Sequence, residues 1–297
     1  MLNSIYEVLN NAKNILRVAK IEDCNASAEV LLSGVLKVKR SKLAVLREQK
    51  LTEEELSLFN SYIQRRAKRE PAAYILGSCE FMGFEFKVNQ NVLIPRPETE
   101  LLVEEVLKSK SGHGDGGIDH CHRDVPVTDA RLTVLDLCTG SGCIAVSLSK
   151  LGNFKEIYAS DISAKALEIA RKNARLNASE NIIFLQGDAF VSVKGKKFDI
   201  IVSNPPYVSE KEFENLEPEL KYEPQIALTT GEDGLFFYQQ IARHAKEHLN
   251  AKGQIFLELN ANKSVEIKEI FLNAGFSDIK IIRDYVGLDR ILVSSKK

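Results

Sequence analysis

From residue 132 to residue 295 the chain alternates strand, helix, strand, and few folds accept that pattern. Apolar runs bounded by turn residues predict strands at 132–137, 156–161, 182–187, 198–203, 254–259, 278–284 and 290–295. Apolar residues at helical spacing predict helices at 142–151, 163–176, 234–250 and 262–274, with Gly253 and Gly275 as their stops. Strands separated by helices imply a parallel sheet covered on both faces. The last two strands are joined only by Tyr285 to Asp289, too little chain for a parallel crossover, so they form an antiparallel hairpin. The expected fold is α/β: a Rossmann-like seven-stranded sheet, mostly parallel, with an antiparallel edge hairpin.

The first 75 residues have a different period. Ser4-Ile5-Tyr6-Glu7 and Thr52-Glu53-Glu54-Glu55 fit capping boxes, in which side chains satisfy the free amides of a first helical turn. Ile5, Leu9, Ala12, Leu16 and Ala19 recur on one helical face, as do Leu56, Phe59, Tyr62 and Ile63. Apolar stretches at 28–36 and 43–46 lie between them, and Pro71 ends the last helix or begins a turn. Phe84, Phe86 and Val88 then alternate as a strand. Asn89 to Asn91 read as a turn and Val92 to Ile94 as the returning strand of a hinge hairpin. Pro95 to Glu100 lead stiffly into a helix through Leu107. The expected organisation is a small helical domain at 1–76, a hairpin linker at 77–95 and the α/β domain at 96–297.

Composition removes several function classes. No apolar run approaches the roughly 18 residues of a membrane span, and Met1 to Ala19 resembles neither a secretory nor a transit leader. A cytoplasmic protein is expected. Five cysteines without a C-x-x-C pair point to reduced thiols. A net charge of -1 argues against a protein built to grip duplex DNA. Residues 1–75 carry 13 Lys/Arg and 9 Asp/Glu, a net of +4. Clusters at 37–42 and 65–69 supply much of it and read first as solvated helix faces, second as contacts to a polyanion or partner. His113, Asp115, Asp119, His120, Cys121, His122 and Asp124 fit no regular metal spacing, and a surface loop over 109–131 is the better reading.

Two segments carry chemistry. Leu132 to Leu137 run into Cys138-Thr139-Gly140-Ser141-Gly142, where glycines permit a sharp turn and close backbone approach to a ligand. Asp161 ends the next strand, 21 residues after Gly140, where a carboxylate can accept both hydroxyls of a ribose. Asp136 lies where an acidic residue can sit beside the ammonium group of S-adenosylmethionine. Gly140 to Ala145 also fit G-x-G-x-x-A, so a nicotinamide cofactor stays open. Asp188 and Ala189, after the third strand, fall where adenine would lie. Asp188 either accepts from its amino group or caps the following turn.

Asn204-Pro205-Pro206-Tyr207 follows the fourth strand at the sheet's carboxyl edge. An amide nitrogen is a poor nucleophile because its lone pair is delocalised. Two acceptors that hold its N–H donors would leave the remaining lobe aimed at a methyl carbon. Asn204 offers its side-chain oxygen and Pro205 its carbonyl, neither proline has a competing N–H, and Tyr207 offers a flat wall. A sulfonium methyl donor needs no further activation, so positioning and acceptor electrostatics can carry the step without a general base. Methylation of a planar amide or amino nitrogen is the reaction this pattern suits.

Further segments accompany the tetrapeptide: Arg69 to Gly77 (REPAAYILG), Leu93 to Glu100 (LIPRPETE), Asp136 to Gly142, Gly231 to Leu235 (GEDGL), and Asp284-Tyr285 to Asp289-Arg290. Together they resemble the release factor glutamine methyltransferase family over nearly the whole chain. The resemblance implies a methyltransferase sheet and S-adenosylmethionine held by Cys138 to Gly142, Asp161, Asp188, Ala189 and Asn204. It implies Asn204, Pro205, Pro206 and Tyr207 around the substrate, with catalysis resting on Asn204, Pro205 and Tyr207. The substrate would be the Gly-Gly-Gln glutamine of class-one peptide chain release factors 1 and 2, methylated at N5. The helical domain would help grip that protein. A monomer with no metal, no membrane and no DNA partner is expected. Cys138 stands where glycine is common, Ala189 where some relatives carry a large aromatic, Glu258-Leu259-Asn260 replaces Glu-x-Gly, and the 109–131 loop is long.

Other readings remain at this point: glutamine in a ribosomal protein, adenine N6 in nucleic acid, a non-catalytic cofactor-binding module, or a nicotinamide oxidoreductase. The last would need a proton-relay residue at the carboxyl edge of the sheet.

Overall fold

A computed structural model describes residues 4–109 and 131–296. The seven histidine, aspartate and cysteine candidates between 113 and 124 lie outside them. The described chain divides into two compact units. One comprises the residues up to Ser78 together with Glu217–Tyr222, and the other comprises Cys79–Leu216 and the chain from Glu223 onward.

In the helical unit, α1 (Ile5–Val18), α2 (Cys24–Leu36) and α3 (Glu53–Ala67) form the bundle, followed by short α4 (Ala72–Leu76). Both capping boxes form. Ser4 accepts from the Glu7 amide while Glu7 accepts from the Ser4 amide, and Thr52 and Glu55 do the same. Ile5, Leu9, Ala12 and Leu16 pack with Ala28, Leu31, Leu32, Phe59 and Ile63 into one core. Gly77, at φ +74, ends α4 in the left-handed conformation.

The basic clusters are largely solvated, Lys37, Lys39, Arg40, Lys42, Arg65 and Lys68 being exposed, but Arg66 is not. Residues 37–42 form the left-handed cap of α2 and a 3-10 turn, where Arg40 pairs with Glu29. At 65–69, Arg66 is 5% exposed. Its guanidinium donates to Asp23, Ser27 and Glu219 at 2.9, 2.9 and 3.0 Å. Arg69 reaches Glu219 and the Lys20 carbonyl, and Arg65 pairs with Glu70. The Tyr222 hydroxyl donates to the Lys68 carbonyl. Glu217–Tyr222 thus packs against the C-terminal end of α3.

The second unit opens on a hairpin, but not the expected one. β1 (Ser78–Phe81) pairs with β2 (Phe84–Lys87), and residues 92–94 form no strand. The two turn residues, Met82 and Gly83, both have positive φ, as a tight turn matching strand twist requires. Phe81 and Phe86 are buried in the core of this unit, so the hairpin is part of it and not a free linker.

Next come α5 (Pro97–Lys108), β3 (Thr133–Leu137), α6 (Cys143–Leu151), β4 (Glu156–Asp161), α7 (Ala164–Leu176), β5 (Ile182–Gln186) and β6 (Phe198–Ser203). Short α8 (Glu210–Glu214) and α9 (Gln225–Leu228) precede α10 (Phe236–His248), β7 (Leu249–Glu258), α11 (Ser264–Asn273), β8 (Ser277–Arg283) and β9 (Asp289–Ser295). The seven-stranded sheet has the order β5-β4-β3-β6-β7-β9-β8. Its strands are parallel except β9, which runs antiparallel between β7 and β8. Strand residues alternate between faces. Val134, Ile200, Val202 and Phe256 meet α5 and α6, and Leu135, Ile201, Ile255 and Leu257 meet α10 and α11.

Gly275, at φ +78, stops α11 as expected. Gly253 does not stop α10. It lies inside β7, beside a register shift opposite β6, where an added Cβ would meet Leu249 and backbone oxygens at 3.0 to 3.1 Å. Close strand approach, not helix termination, requires glycine there.

Candidate active site

The strand order reverses between β3 and β6, and ligands of open α/β sheets bind at such a point beyond the carboxyl ends of the strands. A cavity of 290 Å³ lies there. The ends of β3, β4, β5 and β6 supply Cys138 and Gly140, Asp161, Asp188 and Ala189, and Asn204 and Pro206.

The glycine turn is fixed from two sides. Gly140 and Gly142 have φ of +54 and +81, and Cys138, at +62, takes the same left-handed region despite its side chain. The Thr139 amide donates to the Ser160 carbonyl, and the Gly140 amide to Asp161 Oδ2 at 2.9 Å. Asp161 Oδ1 accepts from the Ser163 amide at 2.8 Å. Each carboxylate oxygen therefore has one backbone donor and further lone-pair capacity towards the cavity. Burial raises the Asp161 carboxyl above its usual range, opposed by the amides of Ser163 and Gly140.

Thr139, Ser141 and Gly142 do not line the cavity. The Thr139 hydroxyl donates to Asp136 at 2.5 Å, the Ser141 carbonyl accepts from Asn173, and Gly142 sits against Ala170. Asp136 also turns inward. It is fully buried, and its Oδ2 accepts the Ala145 amide at 3.1 Å, tying β3 to the first turn of α6. Its Oδ1 is buried with no partner, and burial pushes its carboxyl up to about 7. Asp188 lines the cavity and makes no side-chain cap to the turn behind it, so its carboxylate stays open to a ligand.

Burial also drives the thiols of Cys138 and Cys143 far up. They are neutral contacts, not nucleophiles. Cys24, Cys79, Cys138 and Cys143 are free thiols.

In the tetrapeptide, Asn204 and Tyr207 are half-buried and both prolines are buried. The Asn204 amide nitrogen donates to the Thr99 hydroxyl at 3.2 Å. Among the described residues, no donor reaches Asn204 Oδ1 or the Pro205 carbonyl. The Tyr207 ring is outside the cavity lining, and its hydroxyl donates to Glu258 at 3.3 Å. Burial, with Glu258 alongside, raises the Tyr207 phenol, so it remains a protonated donor.

The surrounding motifs brace this loop. Glu223, buried, accepts from the Ile94 amide and pairs with Arg96, joining the segment before α5 to the chain after the tetrapeptide. Gly234, at φ +71, lies so close to the Tyr207 carbonyl that a Cβ would come within 2.5 Å. Sequence reasoning missed the apolar walls: Leu93, Ile162, Ile226, Phe236 and Phe237. Nothing in the sequence marks them; in the structure Ile162 and Phe236 stand out as apolar residues left 49% and 48% exposed.

The comparisons with known proteins follow this geometry. Residues 7–77 match the PrmC N-terminal domain, and residues 123–231 the methyltransferase small domain. A release factor glutamine methyltransferase from Thermodesulfovibrio yellowstonii is 38% identical over 296 residues, 99% of this chain and 98% of the relative. The chain belongs to the release factor glutamine methyltransferase family. A second release factor glutamine methyltransferase, from Clostridium acetobutylicum, is 37% identical over 98% of both chains. The crystal structure of a methyltransferase from Pyrococcus furiosus superimposes with a TM-score of 0.51 at 22% identity, covering 73% of this chain and 90% of the other, and shows the shared fold.

The site residues fit the S-adenosylmethionine of such a methyltransferase. A doubly anchored carboxylate at β4 suits a ribose, Asp188 suits an exocyclic amine, and Gly140 leaves open space at the cavity wall. Among the described residues neither a histidine nor a tyrosine lines the cavity. Among the described residues no cluster suits a metal, and no helix is long and apolar enough to cross a membrane.

Proposed function

We propose that this release factor glutamine methyltransferase transfers the methyl group of S-adenosylmethionine to N5 of the Gly-Gly-Gln glutamine in class-one peptide chain release factors. The observation that carries the reading is Asn204 in the cavity wall at the end of β6, its amide nitrogen held by Thr99 and its Oδ1 left as an acceptor, with the Pro205 carbonyl next to it in the chain as the second. A primary amide brings two N–H donors, and two fixed acceptors match them.

S-adenosylmethionine supplies an electrophilic methyl carbon and a neutral thioether leaving group. The chain's own residues do the rest. Asp161 and the glycine turn hold the nucleoside, while Asn204 and Pro205 draw electron density towards the amide nitrogen through its N–H bonds. The apolar walls lower the polarity around the two acceptors, which strengthens both contacts. As the N–C bond forms and the S–C bond breaks, one amide proton becomes surplus. It starts in a hydrogen bond to one of these oxygens and ends on water, so no general base is required. The helical unit is assigned to gripping the release factor, and the working form to a monomer.

The test is methyl transfer from labelled S-adenosylmethionine to a purified release factor, with Asn204→Ala and a Gln→Ala substrate as controls. Label on the Gly-Gly-Gln peptide that both controls abolish supports the reading. An unlabelled release factor, with cofactor binding intact, overturns it and directs the search to ribosomal proteins and adenine.

A further inference from the structure

Behind Asn204 a line of hydrogen bonds runs into the protein. The Asn204 amide nitrogen donates to Thr99 Oγ1 at 3.2 Å, and Thr99 Oγ1 donates to Glu258 Oε2 at 2.6 Å. The Tyr207 hydroxyl donates to the other oxygen, Oε1. Thr99 and Glu258 are 2% and 1% exposed. Thr99 stands in the first turn of α5 and Glu258 ends β7, so two elements remote in sequence meet behind the tetrapeptide.

With Glu258 ionised, counting protons along this line fixes its direction. An ionised carboxylate only accepts, and a threonine hydroxyl has one proton to give. With that proton directed to Glu258, Thr99 can only accept from Asn204. The planar amide must then turn its NH₂ to Thr99, which aims Oδ1 the opposite way. Rotated by half a turn, Asn204 would present two donors to a substrate group that brings donors of its own.

The groups around Glu258 oppose one another. Burial, the largest influence, raises the Glu258 carboxyl above its usual range, and the charge of Glu98 adds to it. Thr99, Tyr207 and the guanidinium of Arg290 favour the carboxylate. Arg290 is itself held by Asp284 at 2.9 Å. The segment Asp284 to Arg290 thereby reaches the tetrapeptide through charge.

We propose that Thr99 and Glu258 are positioning residues for methyl transfer, their hydrogen-bond line setting which edge of the Asn204 amide meets the substrate nitrogen. The inference rests on Asn204 acting as an acceptor, as argued above. It adds a reason for threonine at 99 and a carboxylate at 258 that packing alone does not give.

The experiment uses the full chain carrying Thr99→Val, Thr99→Ser or Glu258→Gln. Thr99→Val keeps the shape and deletes the hydroxyl. It is expected to lower kcat on the release factor by about 100-fold, the scale of a misplaced catalytic group, with cofactor Kd and thermal midpoint near wild type. Thr99→Ser is expected to restore most of kcat. Glu258→Gln can donate to Thr99, reversing the line, and should lose kcat likewise. An unchanged kcat in Thr99→Val overturns the proposal. So does a loss that serine fails to rescue and that tracks the thermal midpoint, which would make Thr99 a packing residue. A second readout needs no substrate. Proton exchange at the Asn204 side-chain amide in ¹⁵N-labelled protein should quicken in Thr99→Val, and an unaltered rate counts against the proposal. A wild-type protein inactive on the release factor would overturn the functional reading instead, while this exchange measurement still decides the present one.

Discussion

Asp161 Oδ2 accepts the backbone amide of Gly140, so one carboxylate at the end of β4 fixes the turn that follows β3. Its other oxygen is held by the Ser163 amide at the start of α7. The carboxylate is thus presented with little freedom left to lose on binding.

Asp161→Ala removes both anchors and the acceptor for a ribose. The expected result is a rise in Kd for S-adenosylmethionine of about 10- to 100-fold, the cost of charge-assisted hydrogen bonds. Calorimetric titration of wild type and variant measures it. An unchanged Kd would remove Asp161 from the cofactor site.

Gly142→Ala forces a side chain onto a residue at φ +81 and brings its Cβ to 3.0 Å from the Ala170 Cβ, with the Ala170 Cα at 3.2 Å. Backbone strain and overpacking together should cost roughly 2 to 4 kcal/mol. Urea unfolding reads the loss.

The carboxyl of Asp136 lies near 3.8 in an exposed setting, and burial pushes it up to about 7 in the folded protein. Between these values the folded chain holds a proton that the unfolded chain has released. The stability it contributes is therefore present at low pH and is lost as pH rises through 7. Asp136→Asn keeps an acceptor for Thr139 and Ala145 without the charge. Paired denaturation curves from pH 4.5 to 7.5 should show the variant gaining on wild type as pH rises. A difference that stays flat would contradict this.

Arg66 is buried among Asp23, Ser27 and Glu219. Arg66→Ala leaves Asp23 without its cation and Glu219 with Arg69 alone, and should destabilise the protein by roughly 3 kcal/mol. Glu219→Gln keeps an acceptor and should cost less. Thermal melts of both variants rank them.

The strands of the large sheet were legible because β3 and β6 are buried on both faces and read as apolar runs broken inside only by Asp136 and Asp199. The glycine turn and Asn204 were legible because their chemistry restricts residue type. The small hairpin was not. Its turn is Met82-Gly83, and methionine at φ +51 gives no hint of a position usually filled by asparagine or glycine, whereas Asn89 to Asn91 look like a turn and are not the hairpin's. Arg66 looked like surface because nothing local shows that Glu219, 153 residues away, comes to meet it. Thr99 and Glu258 were visible only as letters in motifs, since the bond joining them spans 159 residues. The inward turn of Asp136 was hidden for another reason. A strand-end carboxylate can face a ligand or the next helix, and the amide of Ala145 decided it.

Residues 217–222 belong with the helical unit although both flanking stretches belong to the other. The helical unit is therefore not a detachable N-terminal module. A transplant cut at residue 78 would leave Glu219 in the recipient and carry Arg66 away with the donor. Between family members, the two stretches of chain should be inherited as a pair, and chimaeras that exchange one without the other should be the ones that fail to mature.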